Sequence, residues 1–207
     1  MLFRSMPSVA RAFKELYPDV CLVIDEMESG KLADALFHGE VDLCLTPLPI
    51  NEKLFDYEEI FTEELVLAVP TAWAHKFKAK KVEERRHSAV SIRSLDEKPF
   101  VTITESQIMA RALSELCENN GITVKDAVVV KSLAAQVAMV KAGLGLALLP
   151  AGTETLEESR DGIPYFSLKE DTPCRTVVAV YRKDFPPSRR ARDLIDTLKR
   201  VALHPIL

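Results

Sequence analysis

Hydrophobic spacing along this chain switches between the two periods of regular secondary structure, most clearly in residues 128–150, VVVKSLAAQVAMVKAGLGLALLP. Val128, Val129 and Val130 form a β-branched run suited to a buried parallel strand. Ser132 stands where a helix N-cap belongs, its hydroxyl able to accept a free backbone N–H. Leu133, Val137, Val140 and Leu144 then recur at the spacing of one apolar helical face. Gly143 and Gly145 can supply the positive φ that ends a helix. Leu146 to Leu149 reads as a second strand, stopped by Pro150, so the stretch predicts a βαβ half-unit. In parallel α/β sheets ligands sit beyond the carboxyl ends of strands, where helix starts aim unpaired N–H groups and a positive dipole end. The corner at Ser132 therefore suits a small anion, although most N-cap serines only support their own helix.

The same reading extends to either side. Residues 5–17 place Val9, Phe13 and Leu16 on one helical face, and Tyr17-Pro18-Asp19 ends that helix because a residue before proline is pushed out of the α region. Residues 20–25 read as a strand. Ser29 is a candidate cap for a helix over 30–38 that turns Leu32, Ala35 and Leu36 inward and stops at Gly39. A strand over 41–46 follows. Pro47 and Pro49 interrupt the chain before strands over 57–61 and 64–69, the second ending at Pro70. Residues 100–104 alternate Val101 and Ile103 with Thr102 and Thr104, so the two hydroxyls share a side. Ser106 is a candidate cap for a helix over 107–119, with Ile108, Ala112 and Leu116 inward and Asn119-Asn120-Gly121 as its stop. Beyond the central stretch come a short helix near 153–159, strands over 163–168 and 176–181, and a helix over 189–201. Ser188 caps that last helix, and Leu194, Ile195, Leu198 and Val201 make its apolar stripe. No internal repeat or low-complexity segment breaks this α/β alternation.

Composition narrows the function classes. The 207 residues are 47% apolar and 28% charged, ordinary for a globular protein, and the net charge of −4 leaves no basic excess for gripping nucleic acid. The basic run over 76–86, KFKAKKVEERR, is interrupted by Glu83 and Glu84 and reads as a solvated surface. No apolar run approaches the ~20 residues of a membrane span. Residues 1–12 lack the apolar stretch of a signal peptide, so a cytoplasmic location without a membrane partner is expected. Cys21, Cys44, Cys117 and Cys174 are far apart, form no C-x-x-C pair and read as reduced, buried thiols.

No catalytic constellation is visible: there is no G-x-S-x-G, no phosphate-binding P-loop, no G-x-G-x-x-G and no H-E-x-x-H. His38, His75, His87 and His204 share no metal-ligand spacing, and neither a metal nor a cofactor is expected. Glu58-Glu59 and Glu63-Glu64 point to opposite faces of a strand and read as solvated charges. Asp42 reads as a hydrogen-bonded structural carboxylate.

Three pieces of sequence, Y-P-D-V at residues 17–20, G-E-V-D-L at 39–43 and the run from Val130 to Pro150, resemble the effector-binding domain of LysR-type transcriptional regulators, and the element order follows the same family from Ser5 to about Val201. The resemblance implies two α/β, Rossmann-like subdomains of the type II periplasmic-binding-protein kind joined by two crossover strands. Subdomain I is expected to hold residues 1–64 and 182–207, and subdomain II residues 65–181. It implies that a small-molecule effector, a carboxylate or other anion, is held between them by Ser29, Thr46 and Pro47 on one side and by Thr102, Thr104, Lys131 and Ser132 on the other. It also implies transcriptional control without enzymatic activity, and a homodimer, or a tetramer in the full-length protein. The dimer is expected to pair the first helix, through Phe13 and Tyr17, with residues 110–113. DNA is expected to be contacted only through an N-terminal winged helix-turn-helix missing from this sequence, as is the family's first effector-domain strand.

Two other readings share the fold. A solute-binding protein of a transport system would show a signal or lipoprotein peptide. A prephenate dehydratase would show a Thr-Arg-Phe motif that this chain lacks. The sequence upstream of Met1 would separate a regulator from a transport protein.

Overall fold

The computed structural model describes residues 2–27, 29–104, 107–156, 162–171 and 173–203, so the caps and histidine expected at Ser106 and His204 lie outside the described residues. The elements run α1 (Leu2–Leu16), α2 (Ser29–His38), β1 (Cys44–Pro47), β2 (Phe55–Ala68), β3 (Ala89–Val90), β4 (Pro99–Ile103), α3 (Gln107–Asn120), β5 (Lys125–Val130), α4 (Leu133–Lys141), β6 (Ala147–Pro150), β7 (Tyr165–Leu168), β8 (Cys174–Arg182) and α5 (Arg189–Leu203). They form two compact units, Met1–Thr62 with Arg175–Leu207, and Glu63–Cys174. Cys44, Leu45, Thr46 and Pro47 of β1 pair antiparallel with Val180, Ala179, Val178 and Val177 of β8. That pairing keeps β8 in the first unit, and the contacts return the chain at Cys174/Arg175, where the sequence expectation had placed the return at Tyr181/Arg182.

In the first unit the strand order is β1-β8-β2. Successive side chains of a strand point to opposite faces, and β8 shows the consequence of covering both. Ala179 packs with Val9 of α1 and with Ile195 and Leu198 of α5. Val178 and Val180 pack with Leu36 of α2, Cys44 and Phe55. A strand buried on both sides reads as a continuous apolar run, as the valines here do. The Tyr17 hydroxyl donates to Asp193, tying the end of α1 to α5. Ala191 N–H donates to Ser188 Oγ at 3.3 Å, the cap expected for α5.

Some expectations fail here. Residues 20–25 form no strand: Val23 is 75% exposed and Ile24 52%, because this segment has no strand beside it among the described residues. Leu16 is exposed rather than buried with Val9 and Phe13, since Tyr17, whose ring lies 5.2 Å from that of Phe13, takes the place at the end of that face. Asp42 precedes β1 and is exposed, so it has no buried structural role. The two strands expected over 57–61 and 64–69 are one continuous strand, β2.

In the second unit β4 lies between β5 and the start of β6. It pairs parallel with β5, with Thr102 opposite Val129 and Ile103 opposite Val130. Val101 N–H donates to Leu146 O at 2.7 Å, and Leu146 N–H donates to Pro99 O at 2.8 Å. β6 then pairs antiparallel with β2, which also carries β7, and β7 pairs parallel with β3. The expected βαβ half-unit is therefore β5, α4 and β6, crossing over β4. β5 lies at an edge, which explains why Val129 is 52% exposed where a buried strand was expected. Phe100, Leu116, Leu146, Leu149 and Leu168 are fully buried and fill the core. Met109, Leu113 and Leu116 are the buried residues of α3; the side chain of Ile108 lies outside the described residues. A 3-10 turn over Ala151–Leu156 replaces the helix expected near 153–159, of which 157–159 are outside the described residues.

The glycines of the central stretch do different jobs. Gly143 has φ +81, and Leu144 N–H donates to Met139 O at 3.1 Å while Gly143 N–H donates to Val140 O at 2.9 Å, the paired bonds of a Schellman stop. The reversal takes Leu144 off the helical face and leaves it exposed. Gly145 has no positive φ. A Cβ there would lie 2.9 Å from Pro99 O, so it is the close approach of β4 that calls for glycine.

Candidate functional site

The second unit brings Thr102, Thr104, Lys131 and Ser132 to one end of its parallel strand pair. Thr104 N–H donates to Val130 O at 3.1 Å, which sets the chain just beyond β4 alongside the chain just beyond β5. The Thr104 hydroxyl also reaches Val130 O, at 3.4 Å. Thr102 is half-buried, and Lys131 and Ser132 are exposed. Ser132 is an extended N-cap, φ −140 and ψ 152, whose side chain accepts from Ala135 N–H at 3.2 Å. The cap leaves the N–H groups of Leu133 and Ala134 uncommitted among the described residues, together with the Thr102 hydroxyl and the Lys131 ammonium. Free N–H donors, a hydroxyl and a cation at a helix start are what an oxyanion needs.

Gln136, one turn into α4, escaped the sequence reading. It is 3% exposed and donates from Nε2 to Val101 O at 2.7 Å, while its Oε1 is buried without a partner among the described residues. The available signal was a polar residue within the apolar helix, four positions from the cap. It braces α4 against β4 directly before Thr102.

The first unit holds the other expected residues. Thr46 and Pro47 end β1 opposite Val178 and Val177, both half-buried. Ser29 is the first residue of α2, and its side chain lies outside the described residues. The unit also contains a cavity of about 10 Å³ lined by Val9, Ile60 and Leu198, room for one water and no metabolite.

A second polar cluster in the Glu63–Cys174 unit departs from expectation. Glu63 is 6% exposed and accepts Gly152 N–H at 2.9 Å, so it is no solvated charge; this bond holds the start of the 3-10 turn. His87 is not isolated, because its Nε2 lies 2.7 Å from Glu154, which also takes Arg86 at 3.2 Å. No group of three or more His, Cys, Asp or Glu among the described residues is arranged to hold a metal ion. Among the described residues no helix is long and apolar enough to cross a membrane.

None of the four cysteines is in a disulfide, and only Cys44 is buried; Cys117 is half-buried, and Cys21 and Cys174 are exposed. Burial pushes the Cys44 thiol up to about 11. Burial also raises Cys117, helped by Asp96 and Glu118. The thiolate is the reactive form, so Cys44 should react with maleimide roughly 100-fold more slowly than an ordinary thiol and catch up only on unfolding. Mass-spectrometric counting of labels over time would show this, and early labelling of Cys44 in the folded chain would contradict its placement.

Residues 2–203 match the model of the family described as the LysR substrate binding domain. The chain belongs to that family. This LysR substrate-binding domain is 28% identical over 188 residues to the uncharacterised HTH-type transcriptional regulator YcgK of Bacillus subtilis, covering 86% of this chain and 57% of that protein. It is 24% identical over 196 residues to the hydrogen peroxide-inducible genes activator of Pectobacterium carotovorum, covering 94% of this chain and 61% of that one. It thus spans less than two thirds of the length of either relative. Among solved structures, the regulatory domain of CcmR from Synechocystis PCC6803 in complex with 2-PG superposes with a TM-score of 0.79 at 16% identity, over 97% of this chain and 92% of that one. That likeness is one of fold, the type II periplasmic-binding-protein architecture expected from the sequence. The family is described as a substrate-binding one, not a catalytic one.

Proposed function

We propose that this domain is the effector sensor of a cytoplasmic LysR-type transcriptional regulator, and that its effector is a small carboxylate or other anion. The observation that carries the reading is the Ser132-capped start of α4 beside Thr102, Thr104 and Lys131, with free donors and no carboxylate in the set. The CcmR regulatory domain, of the same fold, holds 2-PG, which supports a small ligand for this one. Ser29, Thr46 and Pro47 of the first unit are further candidate effector contacts. A ligand that prefers one arrangement of the chain shifts the population toward it, and this shift is the regulatory signal. The two units serve as regulatory subdomains I and II. Sequence-specific DNA contact resides in a helix-turn-helix of the kind named in YcgK.

A thermal-shift screen of small carboxylates tests the ligand class. A true effector at a hundred times its Kd stabilises the domain by about 2.7 kcal/mol. Stabilisation by amines or uncharged sugars, with carboxylates inert, would refute the anion.

The name of the Pectobacterium relative raises a peroxide-sensing alternative. A peroxide-reactive cysteine requires a stabilised thiolate, and Cys44, Cys117 and Cys174 are all shifted the opposite way, chiefly by desolvation. None of these three thiols is primed for that chemistry.

The regulator is a homodimer in this reading. Phe13 and Leu113, expected at its interface, are buried in their own units, and exposed Leu16 joins the expected Tyr17 and Ala110 as a contact. An open groove of about 580 Å³ bordered by Leu16, Tyr17 and Arg189 offers a place for a partner's helix. Light scattering should give twice the chain mass, weakened by Leu16→Glu; a monomer at every accessible concentration would refute the dimer.

A further inference from the structure

We infer that residues 76–86 of the second unit form a sequence-independent docking surface for the phosphate backbone of duplex DNA, an inference that rests on the regulator reading above. The sequence alone assigned this run to solvent and DNA contact to another domain; the folded chain adds three observations. The run is anchored: Phe77 is 9% exposed in the core, with its ring 6.1 Å from that of Phe166, and Ala79 packs against the same core. Lys80 and Ala89 exchange both backbone hydrogen bonds, at 2.9 and 2.7 Å, and Arg85 N–H closes a turn on Val82 O at 3.1 Å. Phe77 and Ala79 turn inward while Lys78 and Lys80 are exposed, and Ala79 N–H closes a tight turn on Phe77 O at 3.0 Å that fixes the backbone between the two lysines.

The second observation is that the cations are uncommitted. Lys78, Lys80 and Lys81 are exposed and make no ion pair among the described residues, and Lys76 lies over the Trp73 ring at 5.8 Å. Arg86 is taken by Glu154, and the opposing Glu83 and Glu84 sit on the turn beyond Lys81. The third is segregation of charge: six basic residues against two acidic in this run, within a chain of net charge −4, leave the remainder strongly acidic. A duplex presents a charge about every 3.4 Å along each strand and releases counterions when a cluster of lysines such as this neutralises it. Lysines without a planar donor fork hold phosphate as point charges and read no bases.

Fluorescence anisotropy of the 207-residue chain against two labelled duplexes of unrelated sequence tests the inference. Weak binding to both alike is expected at low salt, falling with a log–log slope of about −2.7 if three phosphates are engaged. The Lys78→Glu/Lys80→Glu/Lys81→Glu variant should bind at least about tenfold more weakly, whereas Arg11→Glu/Lys53→Glu/Lys98→Glu, of equal net charge, should stay within about twofold of the parent. No binding at low salt, a loop variant that binds like the parent, a control variant that loses as much, a strong preference for one duplex, or equal retention on phosphatidylserine vesicles would each overturn it. The carboxylate response is independent of these lysines, so loss of one result leaves the other standing.

Discussion

Phe100→Ala should lower the stability of the second unit by about 3–5 kcal/mol, the range for emptying a buried aromatic site. Phe100 is fully buried in β4, between β5 and the start of β6, and a cavity there cannot close without moving paired backbone. Gly145→Ala should cost about 1–3 kcal/mol for the opposite reason, overpacking, because its new methyl would meet Pro99 O at 2.9 Å and Phe100 C at 3.1 Å. Neither contact is the movable end of a side chain. Gly143→Ala, in open space at φ +81, meets only the left-handed penalty of about 1–2 kcal/mol. The single tryptophan, Trp73, lies in the second unit, so its fluorescence during urea unfolding reports the affected unit directly. An unchanged midpoint for Gly145→Ala would refute the close approach of the α4–β6 connection to β4.

Thr102→Val and Ser132→Gly should each weaken effector binding by about 1–3 kcal/mol, the range for a polar ligand group left without its partner. Valine keeps the shape of Thr102 and deletes the hydroxyl. Glycine is the informative change at position 132: Ser132 caps α4, and alanine there would cost about 0.5–2 kcal/mol of stability by itself, whereas glycine costs a few tenths. A binding loss in Ser132→Gly with little change in unliganded stability therefore reports on the ligand. Lys131→Met should add a loss that shrinks with salt, as expected of an exposed cation. Isothermal titration with the carboxylate found by screening measures all three. If Thr102→Val, Ser132→Gly and Lys131→Met bind it as tightly as the parent, this corner does not hold the effector.

Local chemistry was legible before the fold was known. The Ser132 and Ser188 caps, the Gly143 stop and the alternation of residues 100–104 all depend on neighbours within a few residues, and each is found where the spacing placed it. The type II periplasmic-binding-protein architecture followed from motifs that extend over the whole chain. Burial was not legible to the same degree, because it depends on what lies across space. Val129 has the same β-branched pattern as a central strand but lies at an edge, and residues 20–25 have strand composition without a neighbour to pair with. Glu63 and Glu64 look alike in sequence, yet the approach of Gly152 N–H makes Glu63 a buried acceptor. His87 finds Glu154 across 67 residues, and Gln136 is buried because β4 presents Val101 O to it. Gly145 was recognised as necessary for a backbone angle, yet it is required by the distance to Pro99, a quantity set by strand packing that local sequence does not encode.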